Sequence, residues 1–289
     1  MHTPTTVHPA AVDPEVPGGV YLCQVNGQVS CGACCGLYNV ADPSREGLQR
    51  QLERRTRAFG ALPRTVAAMD GFARATAAGE CQERPFPDFH HCPFIGLIGP
   101  DRSRVGCLLH PLGEGNAGID LRGLSDYGGL ACRTYFCPAT HQLPGRHKQV
   151  LRLIFEDWHL YGMVVTEAQL VGAMFHWIER RLGYPLEPPL VTAHPQAPAR
   201  LRDLLALKRQ WPFRPPDHDT PCHYFFTDPP HVRPPIDYRR LGAAPSPLDV
   251  MLRELVSHFG TQTDLQRAEQ LLENRLVAAA HAMTQPLKH

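Results

Sequence analysis

The stretch Cys31-Gly32-Ala33-Cys34-Cys35-Gly36 places three thiols within five residues, two of them adjacent. Cys23 lies just upstream, and Cys92, Cys107, Cys132 and Cys137 continue the series downstream. Soft thiolates at this density select a soft or borderline metal, either Zn2+ or an iron–sulfur cluster, the four-iron type above all. The first half of the chain therefore reads as an irregular, cysteine-rich metal-binding domain.

Eight cysteines exceed one four-ligand site, so either two such sites or one larger cluster with accessory thiols would use them. Adjacent side chains point apart on extended backbone. On such a backbone one of Cys34 and Cys35 would serve a first site, with the other serving a second or standing free. Cys81 and Cys222 stand apart from any second thiol and are read as non-ligands. A disulfide framework is the competing reading. It needs an oxidising compartment, whereas Met1-His2-Thr3-Pro4 has neither the basic start nor the apolar run of a secretion signal.

Composition sets the outer limits. The 289 residues are 43% hydrophobic and 20% charged, as in a soluble globular protein. A formal net charge of +1 supplies no global field for nucleic acid or anionic lipid. The longest apolar runs, around 163–165 and 170–175, are too short to span a bilayer. The expectation is a cytoplasmic protein that engages neither nucleic acid nor membrane, with a protein partner or protein substrate left open.

Residues 1–18 read as a loose tail, 19–145 as the metal domain and 146–289 as a mostly helical region, giving an α+β chain. Asn26-Gly27 between short apolar runs predicts a hairpin that carries Cys23 and Cys31 on opposite strands. Asp42-Pro43 reads as a helix start. The stripe Leu48, Leu52, Phe59 faces inward there, and Arg50, Arg54, Arg55 and Arg57 form a solvated face. A second helix is expected over 63–78. Residues 80–145 show few periodic runs, so their order is expected to come from a bound metal. Helical periodicity resumes near 150 and runs past Trp158. Thr166-Glu167-Ala168-Gln169 reads as a capping box, opening a helix that ends at Gly183. Residues 185–247 hold fifteen of the twenty-nine prolines and are expected to be extended around a helix near 199–210. Two helices close the chain. One starts at Ser246-Pro247-Leu248-Asp249 and stops at Gly260, and the other starts at Thr263-Asp264.

Other motifs carry less. Gly113-Glu114-Gly115-Asn116-Ala117-Gly118 fits GxGxxG but lacks the strand before and the helix after that a dinucleotide site requires. It reads as a loop. Asp88, His90, His91 and His110 flank the thiols and are read as neighbours rather than ligands. Asp217-His218-Asp219-Thr220-Pro221-Cys222-His223 reads as a solvated stretch, and Glu156, Asp157 and His159 as ordinary members of an amphipathic helix.

The settings of the downstream cysteines are specific: Cys92-Pro93-Phe94-Ile95, Cys107-Leu108-Leu109-His110-Pro111 and Cys132-Arg133 with Cys137 behind. Over roughly 20–140 the series resembles the zinc- or iron-chelating CxxCxxCC family. Cys31, Cys34 and Cys35 match the last three cysteines of that cluster, Cys92 its Cys-Pro-Phe element and Cys132-Arg133 its Cys-Arg element. Cys107 and Cys137 match the cysteines between and after. Cys23 matches the first position with a lengthened spacing, His110-Pro111 stands where Arg-Pro is usual, and the link from Cys107 to Cys132 is longer. The family includes flagellin lysine N-methylases that need an iron–sulfur cluster. The resemblance therefore implies metal binding at these cysteines and, in its enzymatic form, cluster-dependent group transfer such as methyl transfer. A zinc-stabilised interaction module and an electron carrier are the alternatives.

Overall fold

The computed structural model describes residues 14–81, 83–87, 89, 91–215 and 233–285. Asp88, His90, Cys222 and the 217–223 motif lie outside these residues. The chain is mostly helical with one two-stranded antiparallel sheet. It divides into two compact units. One comprises 23–137 with 156–162, and the other comprises 1–22, 138–155 and 163–289. Among the described residues no helix is long and apolar enough to cross a membrane.

The first unit opens with the expected hairpin in minimal form. Gln24 bridges Ser30, Cys31 N–H donates to Cys23 O at 2.8 Å, and the Asn26 side chain accepts from Gln28 and Val29 N–H. Helix α1 (Arg45–Gly60) begins later than Asp42-Pro43 suggests. Ser44 is the cap, accepting Gly47 N–H, and Asp42 braces Ser44 N–H. The inward face of α1 carries Leu48, Leu52, Arg55, Thr56 and Phe59. Arg55 is thus not on the solvated face. Its guanidinium is 3% exposed, pairs with Glu80 and donates to Cys92 O at 3.1 Å. A buried guanidinium is tolerated only when paired in this way.

Helix α2 (Val66–Gly79), capped by Thr65, lies next in sequence. Strands β1 (Ile95–Ile98) and β2 (Arg104–Cys107) follow, with Ile95 opposite Cys107 and Ile98 opposite Arg104. Thr56 Oγ1 accepts from Leu97 N–H at 2.7 Å and donates to Leu97 O at 3.1 Å, so α1 stands in for a third strand at this edge. That close approach explains Gly96: a Cβ there would lie 2.6 Å from Thr56 Oγ1.

Residues 80–145 were expected to lack a core of their own. Instead Phe94, Leu108 and Leu109 pack with Phe59, Met69 and Phe72. Phe72 stacks on Phe94 at 5.5 Å, and Phe59 meets Phe72 edge-on at 5.5 Å. The apolar residues form no helical period because they sit on a hairpin of four-residue strands. The glycine-rich stretch is a loop, as expected. Asn116, buried, donates to Leu108 O and His110 O and accepts from Arg64. Helix α3 (Gly128–Thr134) closes the contiguous part of this unit.

In the other unit, helix α4 (Pro138–Gln142) precedes α5 (Gly145–Ile154). The helical pattern does not run unbroken past Trp158. Phe155 turns extended, and α6 (Trp158–Val165), whose residues up to Gly162 belong to the first unit, starts afresh under the Asp157 carboxylate. Residues 14–18 are not loose. Val16 is buried, and Lys148 Nζ donates to the carbonyls of Pro17, Gly18 and Thr140 at 3.0–3.1 Å.

Helix α7 (Ala168–Leu182) buries Leu170, Val171, Met174, Phe175 and Ile178 and ends at Gly183. No capping box forms at its start, because Glu167 points inward. Fully buried, Glu167 accepts from Lys208 Nζ at 2.9 Å, and Arg233 lies between Glu167 and Glu254 at 3.7 and 3.8 Å. The proline-rich stretch is not simply extended either. Prolines in the first turns of α8 (Pro188–Ala193) and α9 (Ala197–Leu205) start helices, where the missing N–H costs nothing. After α10 (Leu207–Gln210), α11 (Asp249–Glu254) stops short of Gly260. Helix α12 (Gln262–His281) starts earlier than Thr263-Asp264 suggests, with a capping box of Thr261 and Asp264.

Burial pushes His147 below its ordinary 6.5, against the pull of Glu179 2.9 Å away. Its buried Nδ1 has no partner to receive a second N–H. Burial alone would raise Glu179, but hydrogen bonds from Arg146, His147 and Leu186 N–H outweigh it and hold the carboxyl at about 2. Both groups bind more protons unfolded than folded, so their stabilisation is complete above pH 6.5 and is lost on acidification. Histidine goes first, and Glu179 follows between about 4.5 and 2. Thermal melts across pH 3–7 should show Glu179→Gln losing the part of the decline below pH 4.5. In the ionic core, Lys208→Ala strands Glu167 and should cost roughly 3–5 kcal/mol in denaturant unfolding. The double change Lys208→Met/Glu167→Leu should cost clearly less.

Candidate metal centre

All eight cysteines singled out by their pattern fall within the unit 23–137. None of the described cysteines forms a disulfide. Backbone hydrogen bonding sets them side by side. The lengthened spacing between Cys23 and Cys31 is taken up by the hairpin, which returns Cys31 to the flank of Cys23. Cys34 and Cys35 sit in a 3-10 turn (Ala33–Cys35), not on extended backbone. The turn closes at Gly36, whose φ of 79° places it in the left-handed region and whose N–H donates to Ala33 O at 2.9 Å. Cys35 O accepts Cys92 N–H at 2.9 Å, which binds this turn to the start of the sheet.

Cys92 and Cys107 occupy equivalent places. Each opens a tight turn, with Ile95 N–H donating to Cys92 O and His110 N–H to Cys107 O. Because Ile95 pairs with Cys107, the open end of the sheet brings both turns together. Cys35, Cys92 and Cys107 all pack against the Phe59–Phe72–Phe94 cluster. Cys132, exposed on α3, is held by Ser125 Oγ at 3.1 Å from its sulfur.

The sulfurs receive backbone N–H groups from residues ahead of them. Ala33 N–H donates to Cys31 Sγ at 3.5 Å. The N–H of Phe94 favours the Cys92 thiolate, and those of Leu109 and His110 favour the Cys107 thiolate. In three places the donor is two residues on from the cysteine. Such bonds are what a thiolate needs when it is withdrawn from water, and they tune the metal it holds.

Electrostatically the thiols fall into two sets. Burial, then Cys34, Cys23 and Cys137, push Cys31 well above the usual thiol range. Cys35 donates to Cys34. This lowers Cys34 and raises Cys35, which burial, Cys92 and Cys107 raise further. Burial with Cys107 and Cys132 takes Cys92 up to about 12, and burial with Cys132 takes Cys107 up to about 11. Two tyrosines flank α3 and are raised mainly by burial. After burial, Tyr127 responds most to Cys35 and Cys92, and Tyr135 to Cys137, Cys34 and Cys23. Arg122, locked to Asp120 by two 2.8 Å bonds, lies within the field of Cys107 and Cys132.

Among the described residues no group of three or more His, Cys, Asp or Glu side chains is drawn together as a finished metal cage. The donor chemistry nonetheless fits a metal. Neighbouring thiols that repel one another's charge, three of them offered backbone N–H groups, ionise together only around a cation. Cys81 is exposed outside this grouping. His110 Nδ1 accepts Leu112 N–H, and His159 Nε2 donates to Pro43 O, so both have structural partners. A surface depression in the same unit, lined by Gln28, Arg45, Gln49, Arg102 and Asp157 among others, contains no cysteine.

Sequence reading missed Ser125, Tyr127, Tyr135 and Arg122. The available signal was position, since Tyr127 and Tyr135 bracket Cys132. Comparison of the chain with family models, with curated proteins and with solved structures finds no match.

A methyl group at position 36 would force a β-carbon into the left-handed region at a cost of roughly 1–2 kcal/mol. Gly36→Ala should therefore lower the melting temperature and reduce the metal that co-purifies. Cys81→Ser should leave both within error of wild type, as read by calorimetry and elemental analysis.

Proposed function

We propose that this chain is a metal protein whose Cys23, Cys31, Cys34, Cys35, Cys92, Cys107, Cys132 and Cys137 thiolates hold an iron–sulfur cluster or Zn2+. The observation that carries the reading is the presence of all eight in one compact unit, with backbone N–H groups favouring the thiolates of Cys31, Cys92 and Cys107. The resemblance of the same cysteine series to the CxxCxxCC family points the same way. In its enzymatic form the protein is a cluster-dependent group-transfer enzyme acting on a protein substrate. There the metal would supply a soft Lewis-acidic or redox-active centre when bound. Cys132 on its exposed helix is the ligand that solvent and substrate reach first. Ser125 orients that sulfur, and Tyr127 and Tyr135 stand at either end of α3.

A second reading is a zinc-stabilised interaction module. It draws on the exposed apolar side chains Leu112, Ile119 and Leu130, which are 88%, 57% and 71% exposed. Isolated exposed apolar residues are common, but three within the nineteen residues 112–130, between Cys107 and Cys132, suit a protein partner.

Anaerobic purification followed by elemental analysis, acid-labile sulfide assay and visible absorption separates the readings. A brown, oxygen-sensitive protein with iron and sulfide supports the cluster. A colourless protein with stoichiometric zinc supports the module. Cys92→Ser/Cys132→Ser should lose metal in either case. Wild-type metal content in that double variant would sink the assignment.

A further inference from the structure

We propose that the eight thiols form two separate four-sulfur metal sites, one from Cys23, Cys31, Cys34 and Cys137 and the other from Cys35, Cys92, Cys107 and Cys132. This rests on the metal-protein reading above and divides the adjacent pair Cys34–Cys35 between the sites.

The division follows from which elements deliver each sulfur. The hairpin bridge at Gln24–Ser30 fixes Cys23 against Cys31, and Cys34 follows three residues later in the turn. Cys35 belongs elsewhere. Its carbonyl holds Cys92 N–H, and its side chain packs against the same aromatic cluster as Cys92 and Cys107. Cys107 joins Cys92 through the sheet register, and Ser125 holds Cys132 after the Leu121–Leu124 turn, which packs against that cluster. A 3-10 turn advances about 120° per residue, so Cys34 and Cys35 leave the backbone in different directions.

The electrostatic neighbours divide the same way. Cys31 feels Cys34, Cys23 and Cys137, while Cys92 and Cys107 feel Cys132 and Cys35 feels Cys92 and Cys107. The Cys34–Cys35 contact is the point where the two sets touch.

Ligand number makes the same case. A tetrahedral zinc or a four-iron cluster takes about four thiolates. One such centre would leave about as many thiols buried beside it without a metal. Two centres use all eight. Four thiolates on one dication carry a net charge of about −2, and Arg122 lies beside the second set to offset it.

The test uses the full chain, stripped of metal under argon in reductant and titrated with Co2+ alone. Thiolate-to-cobalt charge transfer and tetrahedral d–d bands report sulfur ligation. Wild type should saturate at about two Co2+ per chain. Cys31→Ser/Cys137→Ser and Cys92→Ser/Cys107→Ser should each saturate at about one. A folding defect in either variant is bypassed in wild type itself, loaded with one equivalent of Zn2+ and briefly alkylated. Peptide mapping should then find Cys34 protected together with Cys31, and Cys35 together with Cys92. Saturation of wild type at one Co2+, or protection that mixes the two sets, overturns the division while leaving metal binding intact. No sulfur-ligated Co2+ in wild type at all overturns the metal-protein reading itself.

Discussion

Burying a thiol disfavours its ionised form, and placing a second thiol beside it disfavours ionisation again. In the unit 23–137 that penalty acts on sulfur after sulfur, most strongly at Cys31, Cys35, Cys92 and Cys107. The surrounding structure is organised to answer it. Turns at Cys31, Cys92 and Cys107 aim N–H groups at sulfur, and Arg122 brings a guanidinium near the exposed end. These devices are weak singly. On the proposed reading, together they would favour a cation among the thiols.

Such turns leave little regular structure, so backbone groups must find partners elsewhere. Side chains take over that work. Thr56 completes the edge of β1, and Arg55 spans from Glu80 to the carbonyl of Cys92. Asn39 holds Phe86 N–H with its oxygen and the carbonyls of Phe86 and Phe89 with its nitrogen. Arg64 lies 4.3 Å over the Phe59 ring while donating to four separate oxygens, two of them in the glycine-rich loop. Arg55 and Thr56 project from α1, Asn39 follows the Gly36 turn, and Arg64 sits in the link between α1 and α2. Helices α1 and α2 are therefore the rigid frame on which the cysteine turns are mounted.

What the sequence made legible follows from range. Periodicity and caps act locally, so α7, α12 and the Asn26-Gly27 hairpin could be read directly from residues. The cysteine series could be read because one chemistry unites it. Long-range pairing left no such trace. Arg55 looked like its solvated neighbours until Glu80, twenty-five residues on, accounted for it. Glu167 looked like an ordinary first-turn residue behind Thr166 until Lys208 claimed its carboxylate. The strands escaped notice because Gly96 and Gly106 interrupt their apolar alternation, glycine being required at 96 by the close approach of α1. Tyr127 and Tyr135 carry no motif at all, and only the placement of α3 relates them to the thiols.

Residues 156–162 explain why the thiol unit is not one continuous stretch of sequence. Tyr38, two residues beyond the Gly36 turn, is buried and donates its hydroxyl to His159 O at 3.0 Å. Its ring meets the His159 ring edge-on, while His159 Nε2 reaches back to Pro43 O at 2.9 Å. A β-carbon at Gly162 would lie 2.2 Å from the Tyr38 hydroxyl, so the helix passes as close as glycine permits. The backbone that follows Cys34 and Cys35 is thus held on its far side by a segment that returns after more than a hundred residues. Metal coordination fixes sulfur positions only if the backbone behind them cannot drift. Here that restraint comes from hydrogen bonds and ring contacts that no cysteine contributes. A boundary drawn at the end of the cysteine series would remove it.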